Sequence, residues 1–342
     1  MQGCGAPYHR DMVLRMTSQG LYCPAGDFHI DPWRPVARAL ITHGHADHAR
    51  EGHGAYLATD LAAPVMRHRL GTITLETIRY GETRAIGGAH VSFHPAGHVP
   101  GSAQIRVEAG GAVWVVSGDY KLGPDPLSTP FEPVRCHHFI TECTFGLPVF
   151  DWPDPDEVAR DINDWWAGNA AEGRFSLLGA YALGKAQRVL ALLDPGTAPI
   201  LTHGAVEATN RVLRGQGLTL PETEHVTAET DLRQRRGALV IAPPGALAGT
   251  WARRFRPAST GFVSGWMRLR GVRRRRAADR GFVMSDHADW AGLNAAIVET
   301  GAEVVHVTHG YTDVFARWLT DQGYDARILH TEFTGESLEE DG

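Results

Sequence analysis

The sequence predicts an α/β protein in two domains, one inserted into the other. Three observations lead there. At 342 residues the chain is too long for a typical single core. From Asp151 to about residue 280 the pattern alternates helix and strand, over a length that suits a domain of its own. Histidine- and aspartate-bearing strand ends stand on both sides of that segment, up to residue 150 and again from residue 281. The expected division is therefore 1–150 with 281–342 as one domain and 151–280 as the insertion.

In chain order, Met12 to Met16 and Leu21 to Asp31 read as opening strands with a turn at Gly26-Asp27. The apolar run Val36 to Ile41 predicts a buried strand. It ends in Thr42-His43-Gly44-His45-Ala46-Asp47-His48, with Asp47 and His48 expected to open a helix. Thr59 to Arg69 has helical spacing. Ala89 to His94 is a strand leading to a glycine-bracketed loop, Pro95 to Ser102, that presents His98. Ala103 to Glu108 and Ala112 to Val116 form a hairpin about Gly110-Gly111, and the second arm ends in Ser117-Gly118-Asp119. His137 to Thr141 is a strand ending at Glu142.

In the insertion, Pro155 to Glu172 is a helix with Trp165 and Trp166 as core. Phe175 to Gly179, Ile200 to Thr202, Ala238 to Ile241 and Ala258 to Val263 are strands. Gly184 to Leu193 and Ala205 to Arg214 are helices, the latter begun at His203. Gly281 to Met284 is a strand ending in Ser285-Asp286-His287-Ala288-Asp289. Trp290 to Glu299 is a helix, Glu303 to Val307 a strand before Thr308-His309-Gly310, and Asp313 to Gln322 and Arg327 to Leu329 close the pattern. The acidic stretch from Glu332 reads as a frayed end.

The H-x-H-x-D-H cluster carries the chemistry. Three imidazoles and one carboxylate within six residues suit zinc, and also manganese or iron. One ion needs only three protein ligands from such a loop, so the spacing points to two. Asp31, twelve residues ahead of His43 and just before Pro32, either orients a ligating histidine or caps a turn. Gly179 to Ala186 nearly spells a phosphate-binding loop, but Ala186 replaces the hydroxyl that would hold magnesium. A helix start at Lys185 can still receive a phosphate.

Composition narrows the partners. Hydrophobic residues make up 43% and charged residues 21%, as in an ordinary globular protein. No stretch approaches the ~20 apolar residues of a membrane span. The first residues lack a signal peptide's apolar core, and four cysteines without a C-x-x-C pair fit a reducing cytoplasm. The net charge of −6 hides ten arginines against one acid between Trp251 and Arg280. That window carries +9, which suits a polyanion as well as a solvated face.

In this order, Asp31, His43-x-His45-x-Asp47-His48, His98, Asp119, Glu142, His287 and His309 resemble the motifs of the metallo-β-lactamase superfamily and, within it, the β-CASP nucleases. Leu21 to Pro24, Tyr181 to Arg188, Ser264 to Met267 and Ser285 to Trp290 are most similar to bacterial ligase-associated DNA exonucleases, relatives of the Artemis-type repair enzymes. The resemblance implies an αββα sandwich from both chain ends, an inserted β-CASP domain, and a cleft for phosphodiesters. It implies that His43, His45 and His98 hold one divalent ion, Asp47, His48 and His309 a second, and that Asp119 bridges both, with zinc the leading metal. Asp31 and Glu142 would orient ligands or water, and His287 would contact phosphate or act as general acid. Lys185, Trp266 and Arg273, Arg274, Arg275 and Arg276 would meet the substrate. The implied partners are DNA with exposed or single-stranded ends, an ATP-dependent DNA ligase and a helicase. A β-CASP ribonuclease is the competing reading, because histidine at the His309 motif is usual in RNA-acting members. A non-catalytic scaffold is disfavoured because no ligand is lost.

Overall fold

The computed structural model of the chain describes residues 12–275 and 278–332, and at 273 and 275 the backbone alone. It is a mixed α/β structure with three sheets and two compact units. The first unit takes the chain up to Pro124, Ser128–Leu147 and the part from Ala291 onward; the second takes Asp125–Leu127 and Pro148–Trp290.

The first unit opens with a sheet whose strands neighbour one another in chain order. They are β1 (Arg15–Thr17), β2 (Gly20–Cys23), β3 (Phe28–Ile30), β4 (Arg38–Leu40), β5 (Ala55–Thr59) and β6 (Leu75–Ile78). In the run 36–41, Val36 and Ala39 to Ile41 are buried, whereas Ala37 and Arg38 are exposed at the start of β4. Leu40 points into one hydrophobic cluster, while Ala39 and Ile41 join another beneath the helix α1 (Ala63–Leu70). That helix starts four residues later than the sequence spacing predicts. Thr59 ends β5 instead, its hydroxyl donating to the Gly101 carbonyl at 2.6 Å and accepting from the Ala62 amide. Pro64 then fits the first turn, where no amide is required. The opening strand is also displaced, from Met12–Met16 to β1, because its antiparallel register with β2 is set by the turn at Ser18-Gln19.

A second sheet follows with β7 (Thr83–Ile86), β8 (Ala89–Pro95), β9 (Ala103–Ala109), β10 (Ala112–Val116) and β11 (His138–Cys143). Apolar side chains of both sheets, among them Leu21, Ile30, Leu40, Val91, Ile105, Val107, Val116 and Ile140, form one cluster. Each such side chain, fully buried, contributes about 1.5–3 kcal/mol. This shared core fixes the strand ends from which the site is built.

The second unit begins with α2 (Pro155–Ala171), β12 (Phe175–Gly179) and α3 (Lys185–Leu192). Asp154 caps α2 by accepting from the Asp156 amide at 2.7 Å. Trp166 is fully buried and donates to the Gly237 carbonyl, and Trp165 donates to Ser259. Next come β13 (Ile200–Thr202), α4 (Gly204–Gly215), β14 (Glu224–His225), β15 (Leu239–Ala242), α5 (Pro244–Ala248), β16 (Ala258–Val263), α6 (Arg270–Arg275) and β17 (Arg280–Phe282). His203 caps α4 through its imidazole, as the sequence suggests. The strands form one sheet in the order β14-β13-β15-β12-β16-β17, and every pairing is parallel. β17 departs from the sequence reading, which groups residue 281 with the returning chain. It pairs with β16 here because Phe282 packs on Trp165, with ring centroids 5.5 Å apart.

The chain returns through α7 (Trp290–Thr300) to β18 (Val304–Gly310), α8 (Thr312–Asp321) and β19 (Asp325–Ile328). β18 adds parallel to the free side of β11, completing the second sheet of the first unit. Among the described residues, no helix is long and apolar enough to cross a membrane.

Candidate metal centre

Three strand ends of the first unit supply the candidate ligands. β4 runs out at Leu40, and Asp31 at the end of β3 holds the next residues in place. Its carboxylate accepts from the Thr42 amide at 2.8 Å and the Thr42 hydroxyl at 2.6 Å, and its other partner is His48 Nδ1 at 2.8 Å. Asp31 sits at φ +42°, a left-handed conformation seldom taken by non-glycine residues. So Asp31 orients a histidine as well as closing a turn. Thr42 also lies 3.1 Å from His43 Nδ1, which leaves Nε2 of His43 to face the site.

Asp47 and His48 do not open a helix. The Ala49 amide reaches the His45 carbonyl at 2.8 Å, closing one turn, and Gly52 at φ +91° then sends the chain into β5. The second strand end is the loop after β8. Ser102 Oγ accepts from the His98 and Val99 amides at 3.1 and 3.2 Å. The third follows β10, where Gly118 takes φ +57° and a Cβ there would meet Thr42 at 2.7 Å. Glycine is thus required on two counts in front of Asp119.

These loops bring four ligand atoms together, one each from His43, His45, His98 and Asp119, all within 4.8 Å of one another. His45 Nδ1 is 3.1 Å from both His43 Nε2 and His98 Nε2. Asp119 Oδ2 is 3.5 Å from His43 Nε2 and 3.7 Å from His98 Nε2. Ligand atoms about 2.0–2.1 Å from one tetrahedral ion lie ~3.3 Å apart, so this set fits a divalent cation. Next to it, His48 Nε2 lies 3.5 Å from both Asp47 and Asp119 carboxylate oxygens. His309 stacks on His48 with centroids 5.6 Å apart.

Electrostatics are consistent with a cation site. Burial holds the His43 and His309 imidazoles below the usual range, and His48, His98 and His45 lower His43 further. Neutral imidazole is the ligating form. For His48 burial acts downward, yet Asp119 and Asp47 overcome it and raise its affinity for a proton well above the ordinary value. A metal ion would take that proton's place among the same carboxylates.

His309 owes its aim to an irregularity. β11 and β18 pair in register up to Glu142 with Thr308, but Cys143 then pairs with Gly310. His309 is the extra residue, at φ +58°, and such bulges redirect a side chain. The Cys143 thiol donates to the His309 carbonyl at 2.7 Å, and a Cβ on Gly310 would collide with the Cys143 carbonyl. Glu142 accepts from the Tyr120 amide at 3.1 Å and from the Thr144 hydroxyl at 2.5 Å, so it fixes the backbone beside Asp119.

The residues expected on the second unit fare differently. Lys185 is fully buried, its Nζ 3.7 Å from Asp286 and 4.7 Å from the Tyr181 ring centroid. Trp266 is buried edge-on against Phe150. The two side chains expected to meet substrate are thus both buried, Lys185 beside a carboxylate and a tyrosine ring and Trp266 against a phenylalanine. Arg274 is exposed on α6, the side chains of Arg273 and Arg275 are outside what is described, and Arg276 lies outside the described residues. His287 is buried at the end of the segment after β17.

Sequence reasoning missed Thr42, Ser102 and Cys143. Thr42 had a signal, since it directly precedes the histidine cluster. Cys143 had none, because its partner is 166 residues away.

No profile of a protein family matches the chain. A protein of Opitutus terrae named as a probable DNA ligase is 31% identical over 313 residues, covering 90% of this chain and 30% of that protein. A ribonuclease of Thermus thermophilus is 28% identical over 209 residues, covering 52% of this chain and 45% of the relative. The chain thus spans less than half of either curated relative. A crystal structure of a protein of unknown function from Enterococcus faecalis matches with a TM-score of 0.57 at 10% identity, over 86% of this chain and 80% of that one. This last likeness speaks to the fold alone.

Proposed function

We propose, from the premise that the chain belongs to the β-CASP family of the metallo-β-lactamase superfamily, that it is a metal-dependent nuclease hydrolysing phosphodiesters. In this reading the first unit is the αββα sandwich and the segment from Pro148 to Trp290 is the β-CASP insertion. The observation that carries the activity is the convergence of His43, His45, His98 and Asp119 beside a His48 already oriented by Asp31. Asp47, His48 and His309 would hold a second ion, with Asp119 shared, and zinc fits the nitrogen-rich donor set best.

Divalent ions held there would supply charge stabilisation at phosphoryl oxygens and acidify the attacking water. The protein's own part is positional. Asp31 accepts a hydrogen bond from Nδ1 of His48 and so fixes the tautomer that leaves the Nε2 lone pair facing the site. Glu142 holds the Tyr120 amide and with it the Asp119 carboxylate. His287 would give its proton to the departing 3′ oxygen.

The substrate we propose is DNA, degraded from a 5′-phosphorylated end in cytoplasmic repair, alongside a ligase and a helicase. Support comes from the Opitutus relative, named as a probable DNA ligase, of which this chain covers 30%. The arginine-rich stretch before His287 would guide the polyanion. His309 and the Thermus relative favour the second reading, a ribonuclease. One experiment separates them: single-stranded DNA and RNA of one sequence, labelled at either end, with and without a 5′-phosphate, digested side by side in zinc or manganese. Shortening of DNA from the 5′ end is expected. Faster RNA cleavage, or DNA shortening from the 3′ end, would overturn the DNA reading.

A further inference from the structure

Ser285-Asp286-His287-Ala288-Asp289 follows β17 without adopting helix or strand, so no ladder of backbone hydrogen bonds holds it. Side chains hold it instead. Arg188, on α3, donates from Nη1 to the Ser285 carbonyl at 2.5 Å and stands 3.0 Å from Asp286 Oδ1. Its Nη2 pairs with the Asp125 carboxylate. Lys185, three residues earlier and so on the same face of α3, faces Asp286 as well. From the other side the Trp152 indole donates to the His287 carbonyl at 2.9 Å, and the Trp152 amide donates to Asp289 at 3.2 Å. Ser285 Oγ accepts from the His287 amide at 3.1 Å. His287 is bracketed at both of its peptide groups.

We propose that Arg188 and Trp152 are positioning residues that set the imidazole of His287 for proton transfer. The inference rests on the nuclease reading of His287. Its physical basis is a cost that packing does not require. Two cations and two carboxylates are buried together, and such clusters are often no more stable than the apolar residues that could replace them. What apolar residues cannot do is bind the Ser285 carbonyl and the Asp286 carboxylate at once. The planar guanidinium donates to the Ser285 carbonyl and the Asp125 carboxylate in fixed directions while its charge faces Asp286, which a lysine ammonium does not reproduce.

The test compares Arg188→Lys, Arg188→Gln, Trp152→Phe and His287→Ala, each purified with its metal. Arg188→Lys and Arg188→Gln should lower kcat by about 10- to 100-fold with KM within about twofold, the size expected of small misplacement. Trp152→Phe, which removes the indole donor but keeps an aromatic ring and the backbone amide, should have a smaller effect of the same kind. In the double variant Arg188→Gln with His287→Ala, turnover should equal that of His287→Ala alone, because the arginine acts through the histidine. Metal content should match wild type throughout. The imidazole NMR signal of His287, assigned by its loss in His287→Ala, should move in Arg188→Lys.

Equal fractional losses from Arg188→Gln with and without His287 would overturn the proposal, as would a folded Arg188→Gln of full turnover. If Arg188→Gln does not fold, the charge-conserving Arg188→Lys and the mild Trp152→Phe carry the same comparison. Should His287→Ala prove fully active, the general-acid role fails on its own account. The His287 signal then decides the clamp, and an unmoved signal in Arg188→Lys overturns it.

Discussion

Buried carboxylates occur in both units, but they face different partners. In the first unit Asp31 and Asp119 meet imidazoles: His48 for one, His43, His48 and His98 for the other. In the second unit Asp286 faces Arg188 and Lys185, and Asp125 pairs with the guanidinium of Arg188. An imidazole can surrender its proton and become a ligand, whereas a guanidinium cannot. The first arrangement is therefore open to a metal ion and the second is already neutralised. The identity of the opposing base, more than the depth of the acid, separates a centre from a brace.

This contrast can be broken most decisively at Asp119. Asp119→Ala should reduce hydrolysis to the assay background and lower bound metal, measured by elemental analysis, while leaving the melting temperature of the metal-stripped protein little changed. Retained activity would end the two-ion reading. The reverse outcome is expected at Asp286. Asp286→Ala should destabilise the fold by about 3–5 kcal/mol in denaturant titrations, because buried cations lose their counter-charge. Unchanged stability there would mean the two kinds of carboxylate are alike after all.

A finer test lies at Asp31. Asp31→Asn keeps the shape but removes the charge that polarises His48, and metal affinity should weaken about 10- to 100-fold by competition with a chelating dye. Smaller still is the effect of acid. His306 is buried, beside His138 and Arg327, and its pKa is lowered to about 4, well under that of the unfolded chain. A depressed histidine favours the fold in its neutral form, so its contribution is complete above pH ~6.5 and lost as pH falls toward 4. His306→Phe should retain its stack on Trp114 and lose about 2 kcal/mol less than wild type between pH 7.5 and 4.5. His53, also near 4, titrates in both proteins and cancels. Last, neutralising Arg273 to Arg276 should lower the log–log salt slope of single-strand binding by roughly 0.7 for each phosphate that no longer meets a cation. An unchanged slope would return those arginines to a solvated face.

Strand ends were the legible part of the molecule. Apolar runs such as 36–41 stop where the candidate ligands begin, and the parallel sheet of the second unit follows from alternation alone. Other features were illegible because they depend on distant partners. Lys185 suggested a phosphate site from its Gly-Lys context, yet Asp286, a hundred residues on, claims it. The helix expected at Asp47 gave way to one closed turn because the return into β5 leaves too few residues for more. His309 was identified by its neighbours in sequence, but nothing local announced the bulge that turns it.

That bulge joins residues separated by more than 160 positions, which matters during vectorial synthesis. β11 emerges from the ribosome long before β18, its eventual neighbour. Until then one side of β11 presents unpaired amides and carbonyls, the kind of edge that invites another chain. The first four candidate ligands are already translated by then, whereas His309 is not. A nascent or prematurely terminated chain would thus hold one ligand set without its neighbour. Completion of the sheet and completion of the centre become the same late event, so an unfinished copy would carry an aggregation-prone edge before it could carry a finished blade.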